Sequence, residues 1–157
     1  MKNLTYLSLD HTNIQERGAI CIVSSPNMSR LTFLSLRNNS LGGDFASILA
    51  SSSYLSKLQE LKLYSNNVGD SGATRIANSE YLKNLTKLDL EFNQITDEGA
   101  ISIASSQYLS NLLELHLSHN DFSDRGEDAL KHSKYLTNTN VQTSSVRTLS
   151  HTPIQLA

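Results

Sequence analysis

The stretch that decides the fold is LTKLDLEFNQITDEGAISIASSQYLSN, which runs from Leu85 to Asn111. Its first half carries leucines in the pattern L-x-x-L-x-L, followed by an asparagine and an isoleucine. Leucines two residues apart point to the same side of an extended strand. The second half places Ala100, Ile103 and Ala104 on one face of a helix. The stretch therefore predicts a short strand followed by a helix.

The same unit occurs five times without insertion or deletion, starting at residues 4, 31, 58, 85 and 112. The first leucine of each unit and the polar residue eight positions later form two of the columns that keep this register: Leu4, Leu31, Leu58, Leu85 and Leu112; Thr12, Asn39, Asn66, Asn93 and Asn120. One unit cannot bury its strand leucines and its helix face alone. The pattern therefore predicts stacked units that share one continuous core.

Residues 4–138 resemble leucine-rich repeats, because each unit reads L-x-x-L-x-L and most continue with x-x-N-x-[IVL]. The 27-residue length and the G-A-x-x-[IL]-A helix are similar to the ribonuclease-inhibitor-like class. The resemblance implies an α/β fold: a right-handed α/β solenoid, or horseshoe segment, of about five repeats with a parallel sheet on the concave face. Strands lie about 4.8 Å apart and helices are about 10 Å wide, so such a stack must curve with its strands inside.

The sequence predicts a leucine-rich repeat domain over residues 1–138 and an irregular or disordered tail over residues 139–157. Glu127 and Lys131 replace small residues of the earlier helices, so the fifth repeat is predicted to act as a C-terminal cap. The first strand has no polar capping element before it. We therefore expect either a C-terminal piece of a longer protein or self-association of two copies at this uncapped N-terminal edge.

Several polar columns are predicted to be structural. The asparagines should hydrogen-bond loop backbone from inside. The serine column should cap carbonyls at helix ends, and the aspartates should favour the positive ends of helices: Ser25, Ser52, Ser79, Ser106 and Ser133; Asp70, Asp97 and Asp124. Gly42 and Gly43 are expected to loosen the second helix, and Cys21 is expected to be half-buried.

The candidate protein-binding residues are the variable strand positions that point away from the core. They are Tyr6, Phe33, Arg37, Glu60, Lys62, Tyr64, Lys87, Asp89, Glu91, Phe92, Glu114 and His116. Exposed aromatic residues ringed by charge are typical of interface anchors. The alternative is that these are ordinary strand-favouring side chains on a solvated sheet. We expect the concave face to bind a protein partner, whose identity the sequence does not give.

Other functions find less support in the sequence. The net charge of −2 and the pI near 6.2 give no reason to expect a nucleic-acid or membrane partner. A serine in every unit indicates architecture and not catalysis, so we expect a non-enzymatic protein without a cofactor. His116 and His119 suggest a metal site, but positions three apart face opposite sides of a regular strand, so none is predicted.

The resemblance leaves further roles open. The chain is expected to be cytoplasmic, since its single cysteine forms no intrachain disulfide. The GAISIA-like unit also resembles repeats of bacterial effectors that are delivered into a host cell. The alternatives are a C-terminal structural or capping fragment of a larger leucine-rich repeat receptor or host-directed effector, and a GTPase-regulating repeat protein.

Overall fold

The computed structural model describes residues 3–143, in which short parallel strands alternate with α-helices. The elements are β1 Tyr6–Ser8, α1 Gln15–Val23, β2 Phe33–Ser35, α2 Gly42–Ser51, β3 Glu60–Lys62, α3 Gly69–Ala77, β4 Lys87–Asp89, α4 Asp97–Ala104, β5 Glu114–His116, α5 Asp124–Lys131 and β6 Asn140–Gln142. The six strands lie in the order β1-β2-β3-β4-β5-β6. The predicted α/β solenoid with a parallel sheet is therefore confirmed.

The core lies between the sheet and the helices. Four leucines pair in register along the sheet and are buried: Leu34, Leu61, Leu88 and Leu115. Their counterpart in the first repeat, Leu7, is only partly buried, because no strand pairs with the outer edge of β1 within the described residues. Burial of one such leucine contributes about 2 kcal/mol, so the repeats stabilise one another mainly by stacking.

The asparagine column forms the predicted ladder. Asn93 Oδ1 accepts the backbone N–H groups of Asn66 and Val68 in the preceding repeat, each at 3.1 Å. Asn93 Nδ2 donates to the carbonyl of Leu63 at 2.9 Å. Asn120 makes the equivalent bonds to the fourth repeat. Each amide therefore fixes the turn of the repeat before it, which satisfies backbone groups that would otherwise be buried unpaired.

Serine and aspartate side chains tie the helix ends of neighbouring repeats together. The Ser79 and Ser106 hydroxyls donate to the carbonyls of Ala50 and Ala77, at the C-terminal ends of the preceding helices, as predicted. Asp97 lies in the first turn of α4 but accepts hydrogen bonds from the next repeat: its Oδ1 receives the N–H groups of Ser123 and Gly126 at 2.8 and 3.0 Å. The carboxylate thus caps α5 across the repeat boundary.

The expectation of a loosened second helix was wrong. α2 begins at Gly42 and has 10 residues, more than any other described helix. Gly42 has a φ of +77°, a conformation that glycine adopts without strain. At Gly43 a Cβ atom would lie 3.0 Å from the Val68 carbonyl oxygen. The two glycines therefore allow a tight turn and close packing on the third repeat.

The expected half-burial of Cys21 was also wrong, because Cys21 is exposed on α1. Ala19 and Val23 face the core from this helix and are fully buried. Positions 19 and 23 are one helical turn apart, and position 21 lies on the opposite side. None of the helices within residues 3–143 is long and apolar enough to cross a lipid bilayer.

The tail expected to be irregular from residue 139 begins with a strand. β6 pairs with β5 so that Val141 lies beside Leu115, an offset of 26 residues instead of 27. The shorter connection brings Val141 into the leucine column, where a strict 27-residue period had placed Gln142. The rest of the tail prediction, over residues 144–157, lies outside the described residues. That the fifth repeat acts as a cap stays a prediction; Lys131 is exposed on α5, the last described helix.

Candidate functional site

The structure brings the twelve candidate residues onto the solvent side of the sheet. Strand pairing sets them in columns across the repeats. The first column is Tyr6, Phe33, Glu60, Lys87 and Glu114, and the second includes Lys62, Asp89 and His116. Arg37, Tyr64, Glu91 and Phe92 follow the ends of the strands. We call this surface the concave face. The role of these residues in binding stays a prediction.

Most charged side chains of the concave face pair with one another. Lys62 Nζ lies 2.9 Å from Glu60 Oε1, and Lys87 Nζ lies 2.7 Å from Glu114 Oε1. The hydrogen bond between Lys87 and Glu114 raises the pKa of the lysine and lowers the pKa of the glutamate. His116 Nε2 lies 3.8 Å from Glu114 Oε2. These groups therefore balance one another's charge before any partner arrives.

Arg37 links four repeats across the middle of the face. Its Nη2 lies 3.3 Å from Asp89 Oδ2, and its guanidinium lies 4.8 Å from the Tyr64 ring centroid. Its backbone N–H donates to Asp10 Oδ1 at 2.8 Å. Asp89 is only 8% exposed; burial raises its pKa, while the Glu91 N–H and the Arg37 charge oppose this rise. Arg37 and Asp89 thus form a clamp within the face, and their role as contact groups for a partner stays a prediction.

A shallow pocket of about 290 Å³ lies beside this clamp. Leu61 and Leu88, both buried, lie at its base, and the paired charges form its walls. The lining combines apolar atoms with charged groups that form ion pairs, although Arg37 Nε is buried without a hydrogen-bond partner among the described residues. The volume lies at the lower end of the range of small-molecule pockets, about 300–1,000 Å³, and is large enough for one inserted side chain of a protein.

Aromatic side chains form two groups on the concave face. In the first group, the rings of Tyr6 and Phe33 stack with centroids 4.1 Å apart and an interplanar angle of 5°. Lys62 Nζ lies 5.1 Å from the Phe33 ring centroid. Tyr6 remains 60% exposed although it is stacked. This group therefore offers a flat apolar surface at the β1 edge of the face.

The second group, which we call the aromatic ladder, consists of Tyr64, Phe92 and His119. The Tyr64 and Phe92 centroids lie 5.1 Å apart, and Phe92 stacks on His119 at 4.1 Å with an interplanar angle of 15°. His119 is not among the candidate residues. The spacing of 27 residues between Phe92 and His119 was the available signal, because it places them side by side in adjacent repeats.

Phe92 occupies a backbone position that is unusual for a bulky residue. Its φ is +54°, in the left-handed region. The equivalent residues of the other four repeats have φ between +52° and +58°; they are His11, Asn38, Ser65 and His119. Asparagine and histidine tolerate this region better than bulky apolar residues do. Phe92 is the apolar exception and is still 41% exposed, so its placement is costly for the fold alone.

Glu91 differs from the other charged residues of the face. Within residues 3–143 its carboxylate has no ion pair or side-chain hydrogen bond, whereas its backbone N–H donates to Asp89 Oδ1 at 3.2 Å. The two carboxylates are close enough for the charge of Glu91 to raise the pKa of Asp89. Among the twelve candidate residues, Glu91 is therefore the one acid without a counterion, and it directly precedes Phe92 of the aromatic ladder.

The histidines do not form part of a metal site in the described structure. Among residues 3–143, no three or more histidine, cysteine, aspartate or glutamate side chains are grouped as metal ligands. His116 lies near Glu114, and His119 stacks on Phe92. The two imidazoles thus have different neighbours.

The fold and this face together define a stack of α/β repeats with a uniform core and a variable sheet surface. A leucine-rich repeat family model matches residues 1–23, 54–77, 81–104 and 108–130, and a second leucine-rich repeat model matches residues 30–52. The chain therefore belongs to the leucine-rich repeat family. Comparison with curated proteins finds no match.

Proposed function

We propose that this chain is a non-enzymatic protein–protein interaction module that binds a protein partner through its concave face. Leucine-rich repeats generally mediate protein–protein interaction and are generally non-catalytic. The observation that carries the proposal is the aromatic content of the face. Tyr6 and Phe92 are 60% and 41% exposed. Aromatic rings are enriched among the anchors of protein interfaces, so exposed rings on this face are available for contact with a partner.

The size of the face limits the affinity that it supplies. Six strands about 4.8 Å apart give a sheet about 25 Å wide, and each variable segment of six residues, from the start of a strand through the turn after it, is about 20 Å long. The flat area is thus roughly 500 Å², below the approximately 800 Å² per partner of a standard interface. Curvature and side chains add area. The proposal therefore predicts modest affinity unless neighbouring surfaces also contact the partner.

A pull-down that compares matched variants tests the proposal. The double variant Tyr6→Ala/Phe92→Ala removes both exposed rings of the face, whereas Tyr54→Ala removes a ring of similar exposure, 39%, from a turn outside the sheet. We expect proteins captured by the wild-type chain to be lost from the double variant and retained by Tyr54→Ala. Equal capture by wild type, the double variant and Tyr54→Ala, all folded, would show that the partner binds outside the concave face.

A second candidate role concerns the β1 edge. Leu4, Leu7 and Leu9 are only partly buried, while the equivalent leucines of the second repeat are fully buried. We propose that this edge is covered either by further repeats of a larger receptor or effector, for which this chain is a capping fragment, or by a second copy. Light scattering over a range of concentrations separates the two. A strict monomer at high concentration contradicts pairing, whereas a concentration-dependent dimer supports it.

The finer assignments are also proposals. The 27-residue period and one α-helix in each of the five repeats support the ribonuclease-inhibitor-like class. A cytoplasmic location, or delivery into a host cell, suits a chain with a single exposed cysteine. GTPase regulation has no specific residue that favours it; a GTP hydrolysis assay with candidate GTPases tests it.

A further inference from the structure

We infer that the corner formed by Glu91 and Phe92 receives a basic side chain, arginine or lysine, from the partner protein. This inference rests on the proposed function, since it assigns a partner chemistry to the same concave face. It follows from three features of the corner: an acid without a counterion, an adjacent exposed ring, and the pairing of the other charges on the face.

The charge of the corner is unbalanced. Arg37 neutralises Asp89 at 3.3 Å, but Glu91 has no counterion among residues 3–143. Glu91 therefore adds a negative charge next to the Arg37–Asp89 pair, close enough to act on the Asp89 carboxylate. A cation placed against Glu91 would gain from both carboxylates, whereas an acidic group would be repelled by both. Asp10, the remaining acid near the clamp, already accepts hydrogen bonds from Ser35 Oγ and the Arg37 N–H.

The apolar part of the corner fits the stem of a basic side chain. Arginine and lysine combine an alkyl stem with a charged head, and their charge is attracted to aromatic rings. The face already uses this chemistry internally: Arg37 lies over Tyr64, and Lys62 lies over Phe33. Phe92 is 41% exposed and no cation of the described chain lies over it. A partner stem on the edge of this ring would place its charged head near Glu91.

Binding of a basic side chain here also gives a reason for the aromatic residue at position 92. The fold places polar residues at the equivalent left-handed positions, and a bulky apolar residue such as phenylalanine is disfavoured there. A ring retained at that cost and left exposed is explained if it contacts a partner. Because the ladder continues to Tyr64 and His119, the basic side chain should lie next to an apolar residue of the partner.

Selection of peptides from a phage-displayed random library on the immobilised full chain tests the inference. Individual selected peptides are then measured against wild type, Phe92→Ala, Glu91→Gln and Glu80→Gln. Glu80 is an exposed glutamate in a turn outside the sheet, so its variant is the matched control for loss of one negative charge.

We expect peptides that depend on Phe92 to contain arginine or lysine beside an apolar residue. They should bind Glu91→Gln about fivefold more weakly, the upper range for one exposed ion pair, and Glu80→Gln as well as wild type. Selection on Glu91→Lys should instead yield acidic peptides. Peptides that depend on Phe92 but carry no basic residue and tolerate Glu91→Gln overturn the inference and leave the proposed function standing. Failure to select any peptide that depends on the concave face counts against both.

Discussion

The substitution Phe92→Asn separates the role of this residue in binding from its role in folding. Phe92 has a φ of +54°, and an L residue with a bulky side chain loses about 1–2 kcal/mol in this region, whereas asparagine tolerates it. The substitution also removes the ring contacts with Tyr64 and His119, each of about 0.5–1.5 kcal/mol. Relief of the backbone cost raises the free energy of unfolding, whereas loss of the ring contacts lowers it by a similar amount.

We therefore expect the free energy of unfolding of Phe92→Asn to stay within about 1 kcal/mol of wild type. Phe92→Ala loses the same ring contacts but keeps most of the backbone cost. It should be about 1 kcal/mol less stable than Phe92→Asn, or lower in melting temperature by roughly 2–4 °C for a chain of 157 residues. Urea denaturation followed by circular dichroism measures both differences.

Both Phe92 variants should lose partner capture to the same extent, since both lack the ring. Retained capture by Phe92→Asn would refute the role of Phe92 as an anchor. An asparagine variant as unstable as the alanine variant would refute the argument from backbone conformation. Asn38 offers an internal reference, because an asparagine already occupies the equivalent position of the second repeat at a φ of +55°.

Three further predictions concern the contacts between repeats. Asn93→Ala leaves two buried N–H groups and one carbonyl without their hydrogen-bond partner. It should lower the free energy of unfolding, measured by urea denaturation, by about 3–6 kcal/mol. The control Asn84→Ala removes an exposed hydrogen bond and should lower it by less than about 1 kcal/mol. Hydrogen bonds from the next repeat lower the pKa of Asp97, so the stability that Asp97 contributes should be present above pH 3.8, its ordinary pKa, and be lost as the pH falls through the lowered value. The difference in stability between wild type and Asp97→Ala should therefore shrink over that pH range, and a difference that does not change with pH would contradict the argument. Gly72→Ala would place a Cβ 2.6 Å from Val68 Cγ1 and 2.8 Å from Ala46 Cβ on α2, and should lower the melting temperature by several degrees. An unchanged melting temperature would contradict this close packing around Gly72.

The fold was predictable from the sequence because every repeat carries the same constraint. Leu61 has to face the core for the same reason as Leu34 and Leu88, so a correct reading of one repeat determines the others. Prediction was wrong where this repetition stopped. Val141 pairs beside Leu115 because the connection from β5 to β6 is one residue shorter than the connections between the other strands. A strict 27-residue period cannot predict such a change in length. Cys21 was misjudged because it was compared with its neighbour Ile22 and not with Ala19 and Val23, which mark the buried side of α1.

For the candidate site, the sequence predicted which residues lie on the solvent side of the sheet but not how their side chains contact one another. Strand alternation identified the residues that face solvent, but pairing among side chains depends on reach and rotamer. Arg37 extends diagonally across the third repeat to Asp89, so two residues predicted as contact groups form an internal clamp. His119 was omitted although its spacing of 27 residues from Phe92 places the two side by side; the stacking of the two rings is seen only in the structure. Glu91 was recognised as charged, but its lack of a counterion is a property of the folded face.

The most direct test of the central claim is a map of amide chemical-shift changes in the ¹⁵N-labelled chain on addition of a selected peptide. The concave face as binding site predicts that the changes cluster in residues 6–11, 33–38, 60–65, 87–92 and 114–119, with the largest near Phe92, and that helices α1 to α5 change little. Changes that cluster on the helices, with the strand amides unaffected, would contradict it.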